Sequence, residues 1–118
     1  MSTEKGRRGE DRAARYLKRR GYRIVDRNVR AGRGELDIVS LKNNTLVFVE
    51  VKAYPSREQG LLAVSGDKCE RLRSAANAYL GKMPGFTGLQ CRFDLIILTP
   101  GGGMNPFPHV EHLQDIFR

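Results

Sequence analysis

The chain contains no tryptophan, two cysteines, two histidines and no apolar run of the roughly 18 residues that a membrane-spanning helix requires. Each shortage removes a class of protein. Cys69 and Cys91 are too few for a disulfide scaffold or a cysteine-based zinc site, and they read as free thiols. His109 and His112 have no further ligands beside them and read as surface residues without a metal role. The N-terminus is polar and basic and lacks the apolar segment and small-residue cleavage site of a secretory signal, so a soluble cytoplasmic protein with no membrane partner is expected. Gly101-Gly102-Gly103 is not followed by the Lys and Ser or Thr of a phosphate-binding loop, which leaves a flexible hairpin connection. Negative charge is also short, since 13 acidic against 21 basic residues give a net charge of +8.

That positive excess is unevenly spread, with a dense run of Arg and Lys between Arg7 and Arg33. A polyanionic partner follows, nucleic acid in the first place, with Arg7, Arg8 and Arg33 as candidates for phosphate contact. A solvated basic face without a partner would carry the same charge, and charge alone names no reaction. With 118 residues, 40% of them hydrophobic, the chain has material for one compact core, so residues 1–118 are read as a single domain.

From Thr3 to Arg20 good helix formers dominate, Ala13, Ala14 and Leu17 recur at helical spacing, and Gly21 supplies the stop. Tyr22 to Asn28 alternates apolar and charged residues like a half-exposed strand and leads to the turn at Gly32 and Gly34. Glu35 to Leu41 and Leu46 to Lys52 read as paired strands around a turn at Lys42 to Thr45. Ala53 to Gly66 reads as a long loop with a cap at Ser65 or Asp67, in which Leu61, Leu62 and Val64 allow a short strand. A second helix over Asp67 to Leu80 places Leu72, Ala75, Ala76 and Tyr79 on one stripe. Arg92 to Thr99 is apolar enough for a central strand reached by crossover, and Val110 to Phe117 suits an edge strand.

The hairpin turn fixes the geometry of a site. Symmetric closure pairs Leu41 with Leu46 and, four residues further along each strand, Asp37 with Glu50. Opposed residues share a face with Cβ atoms about 5 Å apart, so like charges there destabilise the sheet unless a cation lies between them. Lys52 lies on that face too, whereas Val47, Val49 and Val51 form an apolar row on the other. Glu10 falls on the stripe of Ala13, Ala14 and Leu17, and is therefore expected to point inward. Three carboxylates with a lysine offer hard oxygen ligands for Mg²⁺ or Mn²⁺, ions that keep waters while binding phosphate oxygens. Phosphodiester hydrolysis fits these residues best, with Asp37, Glu50 and Glu10 as metal ligands and Lys52 positioning water or offsetting developing charge. A solvated polar face with cross-strand ion pairs would present the same residue types.

Several stretches together carry a family resemblance. They are Gly9-Glu10-Asp11-Arg12-Ala13-Ala14 with Tyr16-Leu17, Gly21-Tyr22, Asn28, Gly34-Glu35-Leu36-Asp37-Ile38-Val39, Leu46 to Lys52, and Arg92-Phe93-Asp94. In these the chain resembles the PD-(D/E)-x-K nuclease superfamily, and is similar in particular to the YraN-like bacterial family related to archaeal Holliday-junction resolvases. The resemblance implies a restriction-endonuclease-like α/β fold, a mixed central sheet of about five strands flanked by helices. It also implies endonuclease-like cleavage of DNA, branched or structured, with the superfamily's metal ligands on Asp37 and Glu50, its lysine on Lys52 and the helix-one glutamate on Glu10. Leu36 stands where the superfamily's name has proline, and Ala53-Tyr54 replaces the Thr-Arg often found after the lysine. Lys68 occupies a position where relatives often carry a polar or basic residue reaching the site and nucleic acid, although a surface lysine at a helix N-terminus would stand there equally well.

Two other readings use the same residues. A non-catalytic nucleic-acid-binding module that retains a nuclease fold would bind through the basic N-terminal region. A protein-interaction domain, such as a homodimer joined through the edge strand Val110 to Phe117, is compatible with either.

Overall fold

The computed structural model describes residues 4–64 and 66–116. In chain order the elements are α1 (Glu4–Arg19), β1 (Arg23–Ala31), β2 (Gly34–Lys42), β3 (Thr45–Ala53), α2 (Arg57–Leu62), α3 (Gly66–Gly81), β4 (Gln90–Thr99) and β5 (His109–Leu113). They build one sheet in the order β1-β2-β3-β4-β5. Its first two pairings are antiparallel, β3 and β4 run parallel, and β5 returns antiparallel to β4. A parallel pair needs a crossover, and α2 with α3 supplies it.

Local chemistry explains the boundaries. α1 ends where the Tyr22 N–H reaches the Leu17 carbonyl and the Gly21 N–H the Lys18 carbonyl, with Gly21 at a φ of 88°. Thr3, the expected start of this helix, lies outside the described residues. Asn43 and Asn44 take φ values of 51° and 62°, the left-handed pair that a two-residue hairpin needs, and Lys42 pairs with Thr45 as expected.

α1 covers one face of the sheet, where Ala13, Ala14 and Leu17 pack on Ile38, Val47, Val49, Ile96 and Leu98. α3 covers the other with Leu72, Ala75, Ala76 and Tyr79 against Leu36, Val39, Leu46, Phe48, Leu95 and Ile97. A fully buried side chain such as Leu17 contributes about 2 kcal/mol from its burial alone. The two layers therefore fix where both helices sit, and with them the residues they carry to the sheet.

Two expectations need correction. The stretch after β3 contains no short strand among its described residues; Leu61 and Leu62 end the helix α2, which starts because the Ser56 hydroxyl accepts the Gln59 N–H at 3.2 Å. Ser65, one of the two residues expected to cap the following helix, lies outside the described residues. The last strand is shorter than Val110 to Phe117: it stops at Leu113, because Asp115 turns at a φ of 56° and sends its N–H to the buried Asp94 carboxylate. Phe117 also lies outside the described residues. The Gly101–Gly103 segment lies in the connection between antiparallel β4 and β5, as expected, and the Asn105 N–H bonds to the Gly102 carbonyl at 3.1 Å. No helix among the described residues is long and apolar enough to cross a membrane.

Candidate active site

Along β2, Leu36 and Val39 pack into the α3 side of the core while Ile38 packs into the α1 side. Strict alternation of faces therefore breaks once beside Asp37. The same place on β1 is irregular, with Asn28 at a φ of 54°. The β2–β3 register runs from Lys42 with Thr45 to Ile38 with Val49 and stops one pair short of Asp37 and Glu50. There the Asp37 carboxylate accepts the Val51 N–H at 2.9 Å, so a side chain satisfies the backbone where the ladder ends.

A cavity of about 760 Å³ opens at this point, lined by Glu10 from α1, Asp37 from β2, Glu50 and Lys52 from β3 and Lys68 from α3. All four residues expected to carry the chemistry are thus in one place, and Lys68 joins them with its Nζ 3.7 Å from Glu50 Oε2. The turn between β1 and β2 brings Arg30 and Arg33 to the rim. It lies so close to α3 that a Cβ on Gly34 would sit 2.6 Å from the Arg71 carbonyl, which is why glycine is required there. Arg7 and Arg8 are exposed on α1 and do not line this cavity. Arg71 and Lys82 do, and sequence reasoning missed both. The signal for Arg71 was its spacing of three from Lys68 on the same helix face.

Electrostatically the site is under tension. Glu50 is 4% exposed, and its Oε2 has no hydrogen-bond partner. Burial first, then the hydrogen bond with Asp37 and that residue's charge, push its pKa up to about 9. A 3.7 Å separation is too long for a hydrogen bond, so Lys68 offsets this only weakly. Glu10, also buried, is raised by desolvation and then by Asp37, and its Oε1 likewise has no hydrogen bond. Burial lowers the Lys52 pKa, against the pull of Glu50 and with help from the neighbouring Lys68. Burial also acts to lower Lys68, but Glu50, the hydrogen bond with Lys52 and Asp37 outweigh it and leave Lys68 raised. A Glu50 carboxyl pushed toward its protonated form, beside a Lys52 amine whose pKa burial lowers, is the consistent reading of these directions.

The donor set suits a hard divalent cation: carboxylate oxygens, two of them buried without partners. Among the described residues, however, no three Asp, Glu, His or Cys side chains stand close enough together to enclose a metal ion as placed. The fit is that of an open pair, Asp37 with Glu50, with Glu10 near enough to feel the charge of Asp37.

On the α1 face lies a second acidic cluster, and it overturns one expectation. His112 is no surface residue: its side chain is 5% exposed and its Nε2 lies 2.7 Å from Asp94 Oδ2. Tyr16 meets its ring edge-on at 5.6 Å. Arg92 donates to both oxygens of Asp94 at 2.8 and 2.9 Å, and also to the Tyr22 hydroxyl at 2.9 Å. Burial would raise the Asp94 pKa, but the bonds from His112, Arg92 and the Asp115 N–H hold it below the usual carboxylate range. His109 is exposed, as expected, and both cysteines are free thiols.

A mixed five-stranded sheet with a helix packed on each face, and an acidic pair with a lysine where β2 and β3 part, is a restriction-endonuclease-like α/β arrangement. The chain belongs to the Uncharacterised protein family UPF0102, whose profile matches residues 9–98, a span that includes Glu10, Asp37, Glu50, Lys52 and Lys68. It is 50% identical to a UPF0102 protein of Pelotomaculum thermopropionicum over 115 residues, covering 95% of this chain and 93% of the relative. A UPF0102 protein of Geobacter sulfurreducens is 44% identical, with 95% and 87% covered. One from Prosthecochloris aestuarii is 41% identical, with 95% and 91% covered.

Proposed function

We propose that this protein is a metal-dependent nuclease that hydrolyses phosphodiester bonds in nucleic acid, DNA first, acting endonucleolytically on structured or branched substrates. One observation carries the reading: a buried glutamate, Glu50, with an oxygen that has no hydrogen bond and only a lysine at 3.7 Å, beside Asp37 and Lys52 in a cavity rimmed by Arg30, Arg33, Lys68, Arg71 and Lys82. A carboxylate kept in that condition serves no purpose in holding the fold.

Asp37 and Glu50 would hold Mg²⁺ or Mn²⁺, with Glu10 in support, and the bound ion would neutralise charge on the scissile phosphate and make water more acidic. Lys52, its pKa lowered by burial, holds or takes the proton of the attacking water. Lys68 and the rim arginines bind the flanking phosphates and oppose the charge that develops at the reacting one. The free thiols of Cys69 and Cys91 go with a cytoplasmic setting.

The test is incubation of the purified protein with labelled linear, nicked and four-way-junction DNA in Mn²⁺ or in EDTA. Cleavage is expected in Mn²⁺ only, and Lys52→Ala should lower it by about 100-fold or more while still binding DNA. If all five rim cations engage phosphates, log K should fall against log salt with a slope of about −4.5 on duplex DNA. Cleavage left at wild-type level by Asp37→Asn, Glu50→Gln and Lys52→Ala would assign the activity elsewhere. A binding module without turnover is the rival, and the absence of three converging ligands among the described residues is what favours it; retained binding with no cleavage under any divalent cation would establish that rival.

A further inference from the structure

A second cavity, of about 550 Å³, runs along the other flank of α1 and is unlike the first. Its walls are apolar and aromatic, from Tyr54, Leu98, Pro100, Phe107 and Pro108, and Arg8, Arg12 and Arg15 line its α1 side. Those arginines are spaced by four and three residues and so lie on one stripe of the helix. Asp11 also lines the groove, but its carboxylate is bonded to Arg27 at 2.7 Å and does not cancel them.

Phe107 is 57% exposed, with the Arg12 guanidinium 5.0 Å from its ring centre. The loop that presents it is tightly built. The Phe107 N–H bonds to the Asn105 side chain at 3.0 Å, and a Cβ on Gly101 would run into the carbonyl oxygens of Phe107 and Asn105. A large aromatic ring held in solvent by a specific turn, above an apolar wall and beside three cations, matches a planar aromatic group that carries negative charge.

The end of β3 contributes to the lining of both cavities. Lys52 lines the first and Tyr54 the second, two residues or about 7 Å of strand apart. That distance is on the order of one nucleotide. Bases in a continuous duplex are stacked inward and cannot enter such a groove, whereas an unpaired base can.

We infer that this groove binds an unpaired nucleobase adjacent to the phosphate held at Glu50 and Lys52, with Arg8, Arg12 and Arg15 on its sugar-phosphate, so that the substrate carries single-stranded nucleotides beside the cleaved bond. The inference rests on the nuclease reading of the neighbouring cavity for its register. It does not need turnover to be tested.

The experiment titrates full-length protein, in EDTA, against a single-stranded oligonucleotide containing one 2-aminopurine and against the same sequence as a duplex. With wild type, the fluorescence of the single strand should be quenched by stacking. Phe107→Ala and Tyr54→Ala should each lose most of the quench and weaken single-strand binding about tenfold, with duplex affinity within about twofold of wild type. Phe107→Tyr should restore both. Since Phe107 is largely exposed, its replacement leaves the core intact, and an unchanged melting temperature checks this. Unaltered quench and affinity in both alanine variants would overturn the base site, as would equal losses on single strand and duplex. Cleavage in Mn²⁺ is read separately. Quenching that depends on Phe107 in a protein that cuts nothing leaves the base site standing and removes the nuclease reading; cleavage without any such dependence does the reverse.

Discussion

Asp94 on β4 and Glu50 on β3 are both buried carboxylates of one sheet, 0% and 4% exposed, and they stand one register step apart, since Val49 pairs with Asp94 and Glu50 with Leu95. They point to opposite faces. Asp94 receives Arg92 on both oxygens, His112 and the Asp115 N–H. Glu50 has an oxygen with no hydrogen bond, a neighbouring acid and a lysine at 3.7 Å. One acid is held ionised and the other is pushed toward its protonated form. Burial is common to both, so the partners decide the outcome. A saturated carboxylate ties β5 to the sheet; on the nuclease reading proposed above, the unsaturated one would serve a bound cation instead.

The largest effect that separates them is on stability. Asp94→Ala leaves Arg92 and His112 without their buried partner and should cost about 3 kcal/mol or more in urea unfolding, whereas Glu50→Gln in the metal-free protein should cost nothing or stabilise it above neutral pH. Equal losses would dissolve the distinction. The next effect is on pH dependence, and the two acids have opposite signs. Glu50 is raised from 4.5 to about 9, so its folded-state advantage is complete below its ordinary pKa and is lost as pH rises toward 9. Asp94 is lowered, so its contribution is present above the ordinary carboxylate range and is lost as pH falls through its folded value. The metal-free wild type should therefore melt progressively lower from about pH 5 to 9, and Glu50→Gln should flatten that slope. A slope unchanged in Glu50→Gln would place the titration elsewhere. The smallest effect concerns His112→Phe, which keeps the ring contact with Tyr16 but removes one bond to Asp94; a loss of about 1.5 kcal/mol is expected.

The contrast between the clusters also explains what was legible in the sequence. The site around Glu50 could be read because a hairpin register is arithmetic: Leu41 against Leu46 places Asp37 against Glu50, and the structure follows that register to its last regular pair. Helical spacing likewise announced that Glu10 would turn inward with Ala13, Ala14 and Leu17, and it does. The break in alternation at Asp37 was not legible, because it goes with a left-handed Asn28 on the neighbouring strand, which nothing within β2 signals. Nor was the Asp94 cluster, whose members come from α1, the link between α1 and β1, β4, β5 and the turn after it; two histidines three residues apart gave no hint that one of them meets Asp94 and the other does not. Short-range chemistry that was present in the sequence but read the other way accounts for α2, where Ser56 and Gln59 form a helix start ahead of two leucines in a stretch expected as a long loop that allowed a short strand. Besides the cation expected between Asp37 and Glu50, a proton would relieve the pair as well, and that is the direction in which burial and Asp37 push the Glu50 pKa.

That proton gives the most direct measurement. If the site keeps a place for a divalent cation by holding a proton there, Mn²⁺ must displace it on binding. Calorimetric titration of Mn²⁺ near pH 7.5, in two buffers of different ionisation enthalpy, should report about one proton released per ion for the wild type, and weaker binding with no release for Glu50→Gln. Binding without proton release, or the same release in Glu50→Gln, would contradict the account.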